Sequence, residues 1–214
     1  MKNCKMVAWL LLMLQMLMVL TGCSLHAGEN SNNKNVAVLD KATQWFQKQT
    51  THYEIICGEV HDDTVVFLTG TKNLGTNSYQ MLQVFVVQEQ ADGYAVTAMK
   101  DGERAMSAGI SAHVLITDTL TILFGDTGDS VLDFINDKRI AVDFTAVDIL
   151  LKDNTTVSRN IIGNQPYLLV FTEEVEMVDL AFVSSDLTVK YSNFYGDKLL
   201  KDTASYDVSN LFVR

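Results

Sequence analysis

Three side-chain chemistries stand out in this chain, and each depends on spacing. The first is a thiol. Cys23 closes "LTGC" at the end of the apolar run Met6–Leu20, which is broken only by Gln15. A thiol there can form a thioether at neutral pH, whereas an alcohol is too weak a nucleophile for that transfer. The second is cation binding: "HDD" places His61, Asp62 and Asp63 side by side, and "GDTGDSVLD" places Asp126, Asp129 and Asp133 close together. The third is hydrolysis, for which the nearest string is "GISAH", Gly109 to His113, with Ser111 two residues after a glycine.

The last two weaken on inspection. In "GISAH", His113 stands where a nucleophile elbow needs its final glycine, so Ser111 reads as a loop or strand residue. The aspartates after Gly125 do not follow the spacing of a calcium loop. Asp129 or Ser130 is instead expected to cap a short helical turn, "VLDFIN". "HDD" reads first as an acidic hairpin turn. His61, Asp62, Asp63, Asp126 and Asp129 therefore remain only as candidate metal ligands, and no metal or other cofactor is expected. "FTEEVEMVD" reads as a hairpin turn carrying Glu173, Glu174 and Glu176 in water. Phosphate-loop and dinucleotide-binding glycine motifs are absent from the sequence, as is any βαβ pattern to host them.

The thiol reading strengthens with its context. Lys2 and Lys5 give the chain a positive start, and the 15-residue run that follows is short of the about 20 apolar residues a permanent span needs. Leu20, Thr21, Gly22 and Cys23 resemble the lipobox of bacterial lipoproteins. That resemblance implies a diacylglyceryl thioether on Cys23 and removal of residues 1–22 as a leader. Two acyl chains make durable attachment at ~0.8 kcal/mol per buried methylene, where one would be marginal. Residues 23–35, including His26, then read as a flexible polar tether. The expected location is the extracytoplasmic face of a cell membrane, held there by lipid.

Charge and thiol usage fit that location. The whole chain has 16 basic and 26 acidic side chains, a formal −10, and losing Lys2 and Lys5 makes it more acidic still. Such a balance disfavours nucleic acid and gives no overall pull toward anionic headgroups. Cys4 would leave with the leader and Cys23 would be acylated, which leaves Cys57 alone, so a disulfide framework is excluded. Cys57 sits in "YEIICGEV" and reads as a small buried apolar residue.

Something must position these residues, and residues 36–214 read as a single β-rich domain. Val38, Leu39, Ala42, Trp45 and Phe46 recur at three- and four-residue spacing, which predicts one N-terminal amphipathic helix. Ten or eleven short strands follow. "HDD" and "ADG" are expected to close hairpins, since Asp, Asn and Gly accept positive φ. "RIAVDFTAVDILL" alternates and then slips onto its other face, which suggests a bulge or a strand covered on both sides. Helices do not alternate with strands, so the expected class is mainly β: an antiparallel β-sandwich or curved sheet with that one helix. A weak echo between "TVVFLTG…YAV" and "LTILFGD…NTTV" raises the idea of duplication.

The order helix, "YEIICGEVHDDTVVF", "ADGYAV", "TILFGDTGDSV", "YLLVF" and "VDLAFVSSDLTVKY" is similar to small lipoproteins of Gram-positive bacteria. Its motifs are structural, and no catalytic residue carries over. The expected function is a lipid-anchored extracytoplasmic module that binds or scaffolds an envelope protein partner without catalysis. The alternatives are a small carbohydrate-active or other hydrolase using loop carboxylates, and a carrier of an apolar ligand.

Overall fold

A computed structural model describes residues 32–50, 52–72, 79–103, 110–133, 138–191, 194–195 and 198–199. Cys23, the leader 1–22, tether residues 24–31 including His26, and the tail after Leu199 lie outside the described residues.

The helix α1 spans Asn32–Gln49, so it begins inside the stretch expected to be tether. Its apolar stripe is the predicted one: Ala42 and Phe46 are buried, with Val38, Leu39 and Trp45 packed beside them. Lys48 in the last turn complements the negative helix end, and Thr50 N–H extends the ladder to Phe46 O at 3.2 Å. The stripe needs a partner surface because a single short helix is marginal in water.

That partner is a four-stranded antiparallel meander in sequence order: β1 Glu54–His61, β2 Thr64–Lys72, β3 Tyr79–Gln90 and β4 Gly93–Glu103. Asp62 at φ 54° and Gly93 at φ 131° close the two hairpins that the turn residues predicted. Phe46 inserts between Phe67 and Phe85, its ring centroid 5.2 and 5.0 Å from theirs, and Tyr53 meets Phe85 at 5.7 Å.

A second sheet, ordered β11-β6-β5, contains β5 Ser111–Ile116, β6 Thr121–Asp126 and β11 Pro166–Phe171. Every residue of β6 is buried. Ile122 and Phe124 pack with Val66, Leu68, Leu82 and Val84 of the first sheet. Leu123, on the opposite face, packs with Val147, Ile149, Leu180 and Phe182. Burial on both faces explains why "TILF" reads as an unbroken apolar run rather than an alternating one.

Those last four residues belong to a third sheet, ordered β10-β9-β12-β13: β9 Ala146–Leu151, β10 Thr156–Asn160, β12 Met177–Val183 and β13 Thr188–Tyr191. The packing clusters therefore run helix, sheet, sheet, sheet. The protein is mainly β, with stacked antiparallel sheets and one helix among the described residues. Short pairs complete it: β7 Ser130–Asp133 with β8 Lys138–Ala141, and β14 Phe194–Tyr195 with β15 Lys198–Leu199.

Four local expectations are corrected. Residues 130–133 form strand β7 rather than a capped helical turn, because Val131 is drawn into the same apolar cluster as Leu123. "RIAVDFTAVDILL" is two strands, β8 and β9, and the change of face falls at the break over 142–145. "FTEEVEMVD" is not a hairpin: it carries the chain from the second sheet to the third, and buried Val175 donates its N–H to Thr121 Oγ1 at 3.0 Å. The suspected echo compares three strands of one sheet with strands dispersed over three, so it is not a repeated unit.

Candidate functional site

The sequence-named chemical residues do not converge. His61 ends β1, and Asp62 and Asp63 form the exposed turn after it. His61 Nε2 lies 3.4 Å from Glu59 Oε2. Asp63 accepts hydrogen bonds from Gln88 Nε2 at 3.1 Å and Thr64 Oγ1 at 3.2 Å, which hold its carboxyl below the usual range. Asp126 ends β6 in the second sheet, and Asp129 lies just before β7. Asp126 is 3 % exposed and accepts from Gly128 N–H at 2.8 Å, whereas Asp129 is exposed. Among the described residues, no three His, Cys, Asp or Glu side chains are grouped to hold a metal ion.

Ser111 is a strand residue built into the core. Its Oγ accepts from Asp126 N–H at 3.0 Å, and its carbonyl accepts from the buried Tyr167 hydroxyl at 2.8 Å. The His113 ring packs on Phe124 at 5.4 Å. Cys57 is half-buried against the cluster between the first two sheets. Glu173, Glu174 and Glu176 are exposed, and Glu176 pairs with Lys152 at 2.7 Å.

A different surface holds two of the three buried side-chain polar atoms that lack a hydrogen-bond partner among the described residues, the third being His61 Nε2. The helix packs over β1 and β2, and its aromatic contacts reach Phe85 and, through Trp45 at 6.0 Å, Tyr94. Beyond those contacts the same face of β3 and β4 carries exposed side chains among the described residues. Strand alternation puts Met81, Gln83 and Phe85 on that face of β3. The ladder sets Asp101 opposite Gln83 and Met99 opposite Phe85.

A bulge then adds Val96. Val86 pairs with Ala98 but Val87 pairs with Val96, so Thr97 is the extra residue, and Val96 and Met99 share a face despite their odd separation. Met99 is 52 % exposed, and Met81 and Val96 are each 44 % exposed. The described residues contain seven such large exposed apolar side chains, and three of them lie along this ledge.

Two unmet polar atoms lie on the same face. Gln83 is only 4 % exposed; its Nε2 donates to Asp101 Oδ1, yet its Oε1 is buried with no hydrogen-bond partner. Thr69 Oγ1 reaches the Gln83 backbone carbonyl at 3.3 Å and leaves the side-chain oxygen unmet. The Tyr94 hydroxyl is the second, and burial, followed by the Glu89 charge, raises its pKa above the ordinary tyrosine value. Unmet buried polar atoms are rare in folded proteins, and each calls for an explanation.

Sequence patterning could not single out this ledge. Met81, Gln83, Asp101 and Met99 look like any alternating strand until the register and the reach of the helix are known. The one available signal was the apolar Val96 and Met99 on both sides of Thr97, which break the alternation of β4.

Comparison with known protein families, curated proteins and solved structures finds no match to this chain. Function is therefore argued from the chain's own residues.

Proposed function

We propose that the protein is a lipid-anchored extracytoplasmic binding module whose docking surface is the ledge formed by β3 and β4. The observation that carries the binding role is the placement of three exposed apolar side chains and two unmet buried polar atoms along one sheet face. An interface of mixed character, apolar at its centre with a few fixed polar groups, is what protein recognition sites use. The anchor rests on "LTGC" after a short apolar run. Among the described residues no helix is long and apolar enough to cross a membrane.

The test has two arms. Intact mass of the protein extracted from its native envelope should give a chain beginning at Cys23 with a diacylglyceryl addition. Capture from detergent-solubilised envelopes should recover one defined protein with the native chain, and should lose it with Met99→Glu. An unmodified Cys23 refutes the anchor. Equal recovery by Met99→Glu refutes the ledge.

A further inference from the structure

We infer that the ledge receives a cationic side chain, the guanidinium of an arginine, presented by a basic polypeptide partner. This rests on the reading of the ledge as the docking surface and adds the chemistry of what docks.

The argument begins with the geometry of one amide. Gln83 Nε2 is committed to Asp101 Oδ1, so the amide cannot turn over: turning would set its carbonyl oxygen against a carboxylate. Oε1 is thereby fixed as an acceptor, buried and without a donor. Asp101 is exposed and keeps acceptor positions beyond the one that Gln83 uses. The site thus has one exposed, charged acceptor, Asp101, backed by a second, Gln83 Oε1, that is closed to solvent in this structure and opens only when side chains around it move, and among the described residues no donor meets that second acceptor.

An incoming group must bring several N–H donors in a fixed plane together with positive charge. Guanidinium has five such donors in a rigid fork and is more weakly hydrated than an ammonium, so it gives up less on entering a partly buried site. The aliphatic stem behind it needs an adaptable apolar lining. Met81 and Met99 flank the Gln83–Asp101 pair along the two strands, and methionine's unbranched thioether chain repacks easily around a guest.

Charge complementarity supplies the partner. The chain carries a formal −10, and the β3–β4 hairpin adds exposed Glu89 and Asp92 to Asp101 along the same ribbon. An acidic protein with an acceptor-only niche steers basic partners toward it and repels acidic ones.

The test uses the mature chain from Cys23 onward, in detergent, with methyl-labelled methionine and labelled glutamine side chains. The probes are acetyl-Val-Leu-Arg-Leu-Val-amide and the same peptide with citrulline in place of arginine. Citrulline keeps the shape and loses the charge. The Met81 and Met99 methyl resonances and the Gln83 side-chain amide should shift saturably with the arginine peptide. Affinity should fall about tenfold or more for citrulline, and similarly for Asp101→Asn, as expected on losing a charge-assisted hydrogen bond. Equal response to both peptides overturns the cationic preference while leaving an apolar docking ledge in place. No response to either peptide at millimolar concentration overturns both.

Discussion

Gln83 donates its side-chain amide to Asp101 across the β3–β4 ladder, and that bond holds the Gln83 carbonyl oxygen in a buried position where no donor reaches it. Leaving a buried acceptor unmet costs about 1–3 kcal/mol, whereas an apolar group of the same shape carries no such cost. Gln83→Met should therefore stabilise the fold by about 1 kcal/mol, since Asp101 is exposed and can be solvated once its partner is gone. Chemical denaturation measures that gain. A gain in stability paired with loss of partner binding is the pattern expected where strain is kept for function.

Met81→Gln combined with Met99→Gln separates the same two properties differently. Both side chains are about half exposed, so unfolding free energy should change by no more than about 0.5 kcal/mol per site. Partner capture should nevertheless be lost. Loss of both stability and capture would mean that the methionines hold the sheet together.

The helix and the hairpins at Asp62–Asp63 and Asp92–Gly93 were legible because local chemistry decides them: apolar spacing in one case, positive φ in the other. The mainly β class followed from the same short, turn-bounded runs. Connections between sheets were not legible. "FTEEVEMVD" has the composition of a hairpin turn, yet Val175 is pinned to Thr121 and the chain crosses to another layer. Nothing near Val175 in sequence records the position of Thr121. "VLDFIN" was misread for a related reason, since Val131 follows a distant cluster rather than its own helical spacing. The ledge was hidden because it depends on where α1 stops covering β3 and β4, a tertiary fact.

Gly125 tests the packing between the second sheet's own strands. A Cβ there would lie 1.9 Å from the Ser111 carbonyl oxygen and 2.8 Å from the Tyr167 hydroxyl. The obstacle is backbone on a fully buried strand and cannot swing aside. Gly125→Ala should cost about 3 kcal/mol or more, at the upper end for overpacked cores, and should break the Tyr167–Ser111 hydrogen bond of 2.8 Å. Thermal unfolding of the variant, read against the native chain, measures the difference.

Tyr94 makes a pH prediction with a definite sign. Burial first, and the Glu89 charge second, raise its pKa above the ordinary value of 10.0, so the folded protein favours the protonated phenol. Its contribution to stability is complete below the unfolded tyrosine value and is lost as pH rises through the folded one. Ultraviolet titration should show one tyrosinate forming later than in the unfolded chain, and Tyr94→Phe should remove that late component. Glu89→Gln should bring it part of the way back. An unchanged titration curve in Tyr94→Phe would contradict the assignment.

The claim that β3 and β4 form the docking face is tested most directly by photo-crosslinking in living cells. A benzoylphenylalanine placed at position 99 should yield one discrete adduct with a defined envelope polypeptide. The same group at position 178, an exposed apolar site on the third sheet, should yield none. No adduct at 99, or the same adducts at both positions, would contradict the account.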